Sequence, residues 1–323
     1  MSIVRLPASL IDRLVLEMQL SSCAACQNVI SEQTLRPVPL NRGPYLLLIL
    51  RCDKRFHFSA SGHGGREGIS VSAIAASFGQ PFETARRHVN ELIESGFCER
   101  RGLRVRIRQA QFDNPSFVRM LNELHDIMVR LVAQLFEAGV PLPDERRRLG
   151  YDRNATIAAS IDLVLAAYEY AAPYYASWLQ MRVLSAISFL NGTAIAADPA
   201  LTDLYALDEL PPDDLMAPAS ASAVARLLGL SEATARRQVR AAMEAGMVVR
   251  RGTGLIVPRT YRASPDASAV RRHAVQRGLK AVERMAPSGF RFTHPSGNYV
   301  EGPPAPVMAG RRPLRLVPQA AIS

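Results

Sequence analysis

Two arginine pairs, Arg86-Arg87 and Arg236-Arg237, stand 150 residues apart in the same local sequence. A guanidinium is a planar fork of donors that keeps its charge, and it pairs edge-on with a phosphate or with the N7/O6 edge of guanine. Around the pairs, residues 83–102 read ETARRHVNELIESGFCERRG and residues 233–252 read ATARRQVRAAMEAGMVVRRG. Ten of these twenty positions are identical without a gap, among them Thr84/Thr234, Val89/Val239, Gly96/Gly246 and the Arg-Arg-Gly ends 100–102 and 250–252. Weaker similarity continues upstream, at Ala73-Ile74-Ala75 with Ala223-Val224-Ala225 and at Gly79 with Gly229, and a faint echo joins Ile11-Asp12 to Ile161-Asp162. Solenoid repeats run ~20–50 residues, so a period this long marks a duplicated domain.

Other chemistry-bearing residues are sparse. Cys23 and Cys26 form one CxxC, but zinc needs four ligands and no second CxxC or HxxxH follows. At i and i+3 of a helix the two share a face, and plain buried cysteine is the simpler expectation. The six histidines are scattered, and no HExxH, GxSxG, Walker or dinucleotide signature occurs. The Gly-rich stretch Ser59–Gly68 does not end in Gly-Lys-Ser/Thr and so is not a phosphate loop. The expectation is a non-enzyme without cofactor or metal.

The elements that must position the arginines follow from spacing. In the second copy, Ala223, Val224, Leu227 and Leu228 have helical period, and Gly229 breaks that helix as a C-terminal cap does. Ser231 is an N-cap candidate, and Ala235, Val239, Ala242 and Met243 give a second helix that ends at Gly246. Met247–Val249 and Leu255–Val257 then read as a hairpin around residues 250–254. The first copy repeats the layout, with one helix over Val71–Phe78, a second from Pro81 or Phe82 to Ser95, and a hairpin around Arg100-Arg101-Gly102.

This pattern resembles the winged helix-turn-helix of bacterial regulators of the GntR, MarR and Crp/Fnr types, over about 40 residues per copy. The resemblance implies a mainly α chain with short β-hairpin wings, holding two such units related by the 150-residue repeat. It implies that the second helix of each unit lies in the major groove of double-stranded DNA. At about 100° per residue, with Ala85, Val89, Leu92 and Ile93 inward, Arg87 falls at the centre of the exposed face, and Arg237 does the same in the second copy. These two are the expected base readers, with Asn90 and Arg240 one turn further on. Thr84, His88, Thr234 and Gln238 are expected on the flanks toward phosphate, and Arg86 and Arg236 suit either role. The wing arginines Arg100, Arg101, Arg104, Arg106, Arg250 and Arg251 are expected near the backbone or minor groove.

Composition agrees with a polyanionic partner. The 323 residues carry a net charge of +10 and a pI near 9.9. Of 39 basic residues only Lys54 and Lys280 are lysines, a bias that genomic base composition would also produce. No run is long and apolar enough to span a bilayer, and MSIVRLPASLIDRLVLEMQL lacks the core of a signal peptide, so a cytoplasmic, nucleoid-associated protein is expected. The expected divisions are 1–112 (first helical and winged domain), 113–153 (connecting helix and linker), 154–262 (second such domain), 263–286 (C-terminal helix) and 287–323 (an extended or disordered Pro/Gly-rich tail with Arg311, Arg312 and Arg315). The aromatic stretch with Tyr168, Tyr170, Tyr174, Tyr175 and Trp178 reads as an interface between repeats or subunits, ahead of an effector pocket or a stacking platform. Sequence-specific transcription regulation is the leading expectation. A plasmid-type replication initiator and a protein-binding tandem winged-helix scaffold in chromosome maintenance are the alternatives; an acidic balance would suit the scaffold better. The operator, a small-molecule effector and pairing into a homodimer stay open.

Overall fold

The computed structural model describes residues 7–35, 42–53, 68–145, 150–205 and 209–305. The Gly-rich stretch up to residue 67 and Arg311, Arg312 and Arg315 lie outside them. The chain is mainly helical with small antiparallel sheets. It runs α1 (Ala8–Thr34), α2 (Arg42–Arg51), β1 (Ile69–Ser70), α3 (Val71–Ser77), α4 (Phe82–Glu94), β2 (Cys98–Arg101), β3 (Arg104–Ile107) and α5 (Pro115–Glu137). It continues with α6 (Arg153–Ala166), α7 (Trp178–Asn191), α8 (Thr193–Ala197), α9 (Pro199–Leu204), α10 (Ala221–Leu228), α11 (Glu232–Glu244), β4 (Val249–Arg251), β5 (Gly254–Ile256), α12 (Arg259–Arg262) and α13 (Pro265–Met285).

Residues 69–107 and 219–257 share several backbone hydrogen bonds and strand pairings at positions 150 residues apart. After α3 the Gln80 N–H donates to the Ala75 carbonyl at 2.9 Å, and after α10 the Leu230 N–H donates to Ala225 at 2.9 Å. Gly79 (φ +58°) and Gly229 (φ +63°) hold the left-handed turn between the paired helices, a conformation glycine adopts without a Cβ penalty. Phe97 N–H to Leu92 O and Met247 N–H to Ala242 O close α4 and α11 alike. Glu99 pairs with Arg106 and Val249 with Ile256; Ile69 pairs with Val105 and Ala219 with Leu255. Strand order is β1-β3-β2 in the first segment, while in the second the leading strand shrinks to the single bridge at Ala219. Local chemistry sets these starts: Ser70, Ser220 and Ser231 cap α3, α10 and α11 by accepting backbone N–H bonds.

The two segments rest on a central helical bundle. α1 packs on α5 and α6 on α13, and across these pairs α1 meets α13 while α5 meets α6. Exchanging α1 with α6 and α5 with α13 returns the same set of pairings. The first segment sits on α2, whose residues Gly43–Leu50 are all buried, and the second on α7. One core joins α1, α2, α5, α6, α13 and the first segment, and a second joins α7 to the other segment. The structure therefore differs from the expected divisions at 112/113 and 153/154, because α5 and α6 share buried surface with α1 instead of linking separate bodies.

The C-terminal segment also departs from expectation. Over residues 287–305 it is not a free tail. Phe290 and Phe292 are buried in the first core, and the Asp126 carboxylate accepts the N–H groups of Val300, Glu301 and Gly302 at 2.8–3.1 Å. Asp126 is held in turn by His125 Nδ1 at 2.7 Å, and His125 Nε2 lies 2.6 Å from the Tyr151 hydroxyl, which meets Thr156. Burial keeps His125 below its usual pKa. This buried chain of polar groups does a structural job, clasping the segment to α5.

Candidate nucleic-acid interface

α4 and α11 are the amphipathic helices that carry the arginine pairs. On α4, Ala85, His88, Val89 and Leu92 are buried, while Glu83, Arg86, Arg87 and Glu94 are exposed. On α11, Ala235, Val239 and Ala242 are buried, while Arg236, Arg237, Arg240 and Glu244 are exposed. Thr84, Asn90, Thr234 and Gln238 are half-buried at the margins. Glu83, Thr84, Arg86, Arg87, Asn90, Glu91 and Glu94 line one shallow open depression along α4.

The two arginines of each pair have different partners. Arg86 Nη2 lies 2.7 Å from Glu83, and Arg236 Nη2 lies 2.9 Å from Glu232. Exposed pairs of this kind are worth little and open readily to a competing anion. Among the described residues, neither Arg87 nor Arg237 has a carboxylate partner. Each stands in solvent at the middle of its helix face.

The hairpins sort their arginines further. Arg100, Arg101 and Arg250 are exposed. Arg100 Nη2 donates to Asn90 Oδ1 at 2.8 Å, which ties the first hairpin to the exposed face of α4. At the matching positions of the second segment stand two cations, Arg240 and Arg250. Arg104 Nη1 donates to the Gly68 carbonyl at 2.9 Å, Arg106 pairs with Glu99 at 2.8 Å, and Arg251 donates to the Asp213 carbonyl. These three brace the hairpins, so their expected contact with a polyanion is weaker than that of Arg100, Arg101 and Arg250.

One expected flank residue is corrected outright. His88 is 7% exposed, its ring lies 4.9 Å from that of Tyr45 on α2, and burial lowers its pKa. It anchors α4 to α2 and does not reach the surface. The wheel held part of the clue: at about 100° per residue position 88 falls about 40° beyond Leu92, at the margin of the inner arc, and its polar type suggested the outside. A residue that the spacing did not single out is Leu103. It sits at the tip of the first hairpin, 89% exposed, with Thr253 in its place on the second. Only the turn geometry distinguishes it from an ordinary strand residue.

The CxxC cysteines are buried away from this surface. Cys23 Sγ lies 3.7 Å from the Tyr168 hydroxyl, and burial raises the Cys26 thiol well above its usual pKa, so it stays protonated at neutral pH. Among the described residues no helix is long and apolar enough to cross a membrane. No family model, no curated protein and no solved structure matches the chain.

Proposed function

We propose that this protein is a sequence-specific double-stranded DNA-binding regulator of transcription that uses two winged helix-turn-helix units on one chain. α4 and α11 are the recognition helices. Arg87 and Arg237 read base edges, Asn90 and Arg240 follow one turn on, and Arg86, Arg236, Thr84, Thr234 and Gln238 meet phosphates. Arg100, Arg101 and Arg250 approach the backbone from the hairpins, with Arg104 and Arg251 behind them. What carries the reading is the recurrence, at one register position of two helices with matching turns and hairpins, of an exposed arginine that has no carboxylate partner among the described residues. A solvated helix face would not need that recurrence.

The two halves are not equivalent readers. The face of α4 mixes Arg86 and Arg87 with Glu83, Glu91 and Glu94, whereas α11 presents Arg236, Arg237 and Arg240 against Glu232 and Glu244. One chain thus offers two unlike half-site readers, and a palindromic site is not required. Mapping bound sites across the source genome tests the assignment to transcription. Occupancy next to promoters is expected, and occupancy confined to iterated repeats at a replication origin would replace it with an initiator. In an anisotropy titration against a bound site, Arg87→Ala or Arg237→Ala is expected to cost about 1–3 kcal/mol, the worth of one bidentate base contact. Unchanged affinity in both variants would remove the base-reading role.

A further inference from the structure

A cavity of about 270 Å³ lies between α1, the end of α6, α7, α13 and the segment leading into Met216. Its walls are mostly apolar, with Leu16, Val164, Ala171, Tyr175 and Leu184 among them. The described lining nonetheless holds five arginines (Arg13, Arg182, Arg262, Arg271 and Arg277) against one carboxyl, Asp12. Four of the five have an acidic neighbour: Arg262 pairs with Asp213 at 2.8 Å, Arg271 donates to the Arg262 carbonyl at 3.3 Å and lies beside Asp12, Arg13 is near Glu17, and Arg277 is near Glu169.

Arg182 differs from the rest. It projects from the middle of α7 and is 5% exposed, beside the Cys23 thiol and the Tyr168 phenol. Its Nε has no hydrogen-bond partner, and among the described residues no carboxylate pairs with its guanidinium. Removing a cation from water without an anion is costly, so an uncompensated buried arginine facing a cavity calls for a counter-charge from outside the chain. We infer that this cavity binds a small organic monocarboxylate with an apolar body, its carboxylate on Arg182 and its body among the aliphatic and tyrosine side chains.

The walls connect this site to the rest of the molecule. α1 and α6 belong to the central bundle, while α7 supports α10 and α11, and Val257 and Tyr261 follow directly on the second hairpin. An occupant therefore bears on the seat of α11, and control of DNA affinity by this route rests on the function proposed above.

The chain's one tryptophan supplies the readout. Trp178 lies one turn before Arg182 on α7 and edge-on to Tyr168, a lining residue, with ring centroids 4.8 Å apart. Decanoate and 1-decanol, each below its aggregation limit, are titrated against Trp178 emission. The expected result is saturable binding with decanoate at least ten-fold tighter than decanol. Arg182→Met should reduce decanoate to the level of decanol, and Ser185→Leu, which fills the cavity from the same helix without altering a charge, should abolish binding of both. Equal affinity for the two probes, no saturation, or an unchanged preference in Arg182→Met would overturn the site. A parallel titration of duplex DNA separates the two claims. Decanoate binding without a change of at least three-fold in DNA affinity overturns the coupling alone. Absence of any DNA binding overturns the proposed function and leaves the Arg182 result standing.

Discussion

Arg87 and Arg237 stand in solvent, whereas Asp12 is half-buried in the cavity wall beside Arg271, and the contrast shows how placement decides what a charged residue does. Burial raises the Asp12 pKa to about 7, with Arg271 opposing in part. Between the ordinary aspartate value and pH 7 the folded chain thus holds a proton that the unfolded chain has released. The contribution of Asp12 to stability accordingly falls as pH rises through that window. Asp12→Asn removes the penalty and is expected to stabilise the protein by roughly 2–4 kcal/mol at pH 8 and hardly at all near pH 4, measured by thermal or denaturant unfolding. His88, His125 and His273 have lowered pKa values and push stability the other way, up from pH 5 to 7, in both proteins, so the difference between them isolates Asp12. The exposed arginines were legible in the sequence because helical period alone puts them outside. His88, Asp12 and Arg182 were not, since their surroundings are built by α2, α13 and α1, far away along the chain.

At the scale of elements, what depends on neighbours in sequence was readable and what depends on remote packing was not. The caps at Ser231 and Gly229 and the ends of α4 and α11 at Gly96 and Gly246 follow from single residues whose backbone preferences are strong. The bond between the second hairpin and α7 has no such local signal. Asn191 is fully buried; its Nδ2 donates to the carbonyls of Ala217 (2.7 Å) and Leu255 (2.9 Å) while its Oδ1 accepts from the Val257 N–H (2.9 Å). Asn191→Ala strands the Ala217 carbonyl and the Val257 N–H, while the Leu255 carbonyl keeps the Ala219 N–H, and should cost roughly 2–4 kcal/mol, with hydrogen exchange accelerated first in β4 and β5. Packing of α13 on α1 is tested at Gly278, where an added Cβ would meet Val15 Cγ2 at 2.7 Å. A β-branched neighbour yields poorly, so Gly278→Ala is expected to destabilise by about 1–3 kcal/mol despite alanine's better helix propensity. A variant as stable as the parent would show that the two helices can separate without penalty.

For the whole molecule, the packing of α1 with α13 and of α5 with α6 extends the likeness of the two halves beyond the forty residues in which sequence identity survives. Along the chain these helices share only the faint echo of Ile11-Asp12 with Ile161-Asp162, and bundle helices tolerate apolar exchange so long as volume and period are kept. The exposed faces of α4 and α11 differ in charge, and under the proposed function that has a consequence for DNA binding in bulk. Removing one arginine from a phosphate lowers the slope of log affinity against log salt by about one. Arg240→Ala with Arg250→Ala should therefore flatten the slope by about two, whereas Arg100→Ala alone, its partner being Asn90, should change it by about one at most. Equal slopes for parent and variants would place the phosphate-binding groups elsewhere.

The most direct test of two unlike readers on one chain is selection of binding sites from a random duplex pool by the parent protein, Arg87→Ala and Arg237→Ala. The parent is expected to enrich a bipartite site with two different halves, and each variant to lose information from one half only, a different half in each case. Failure of the parent to enrich any sequence, or loss of the same half by both variants, would contradict the presence of two distinct readers.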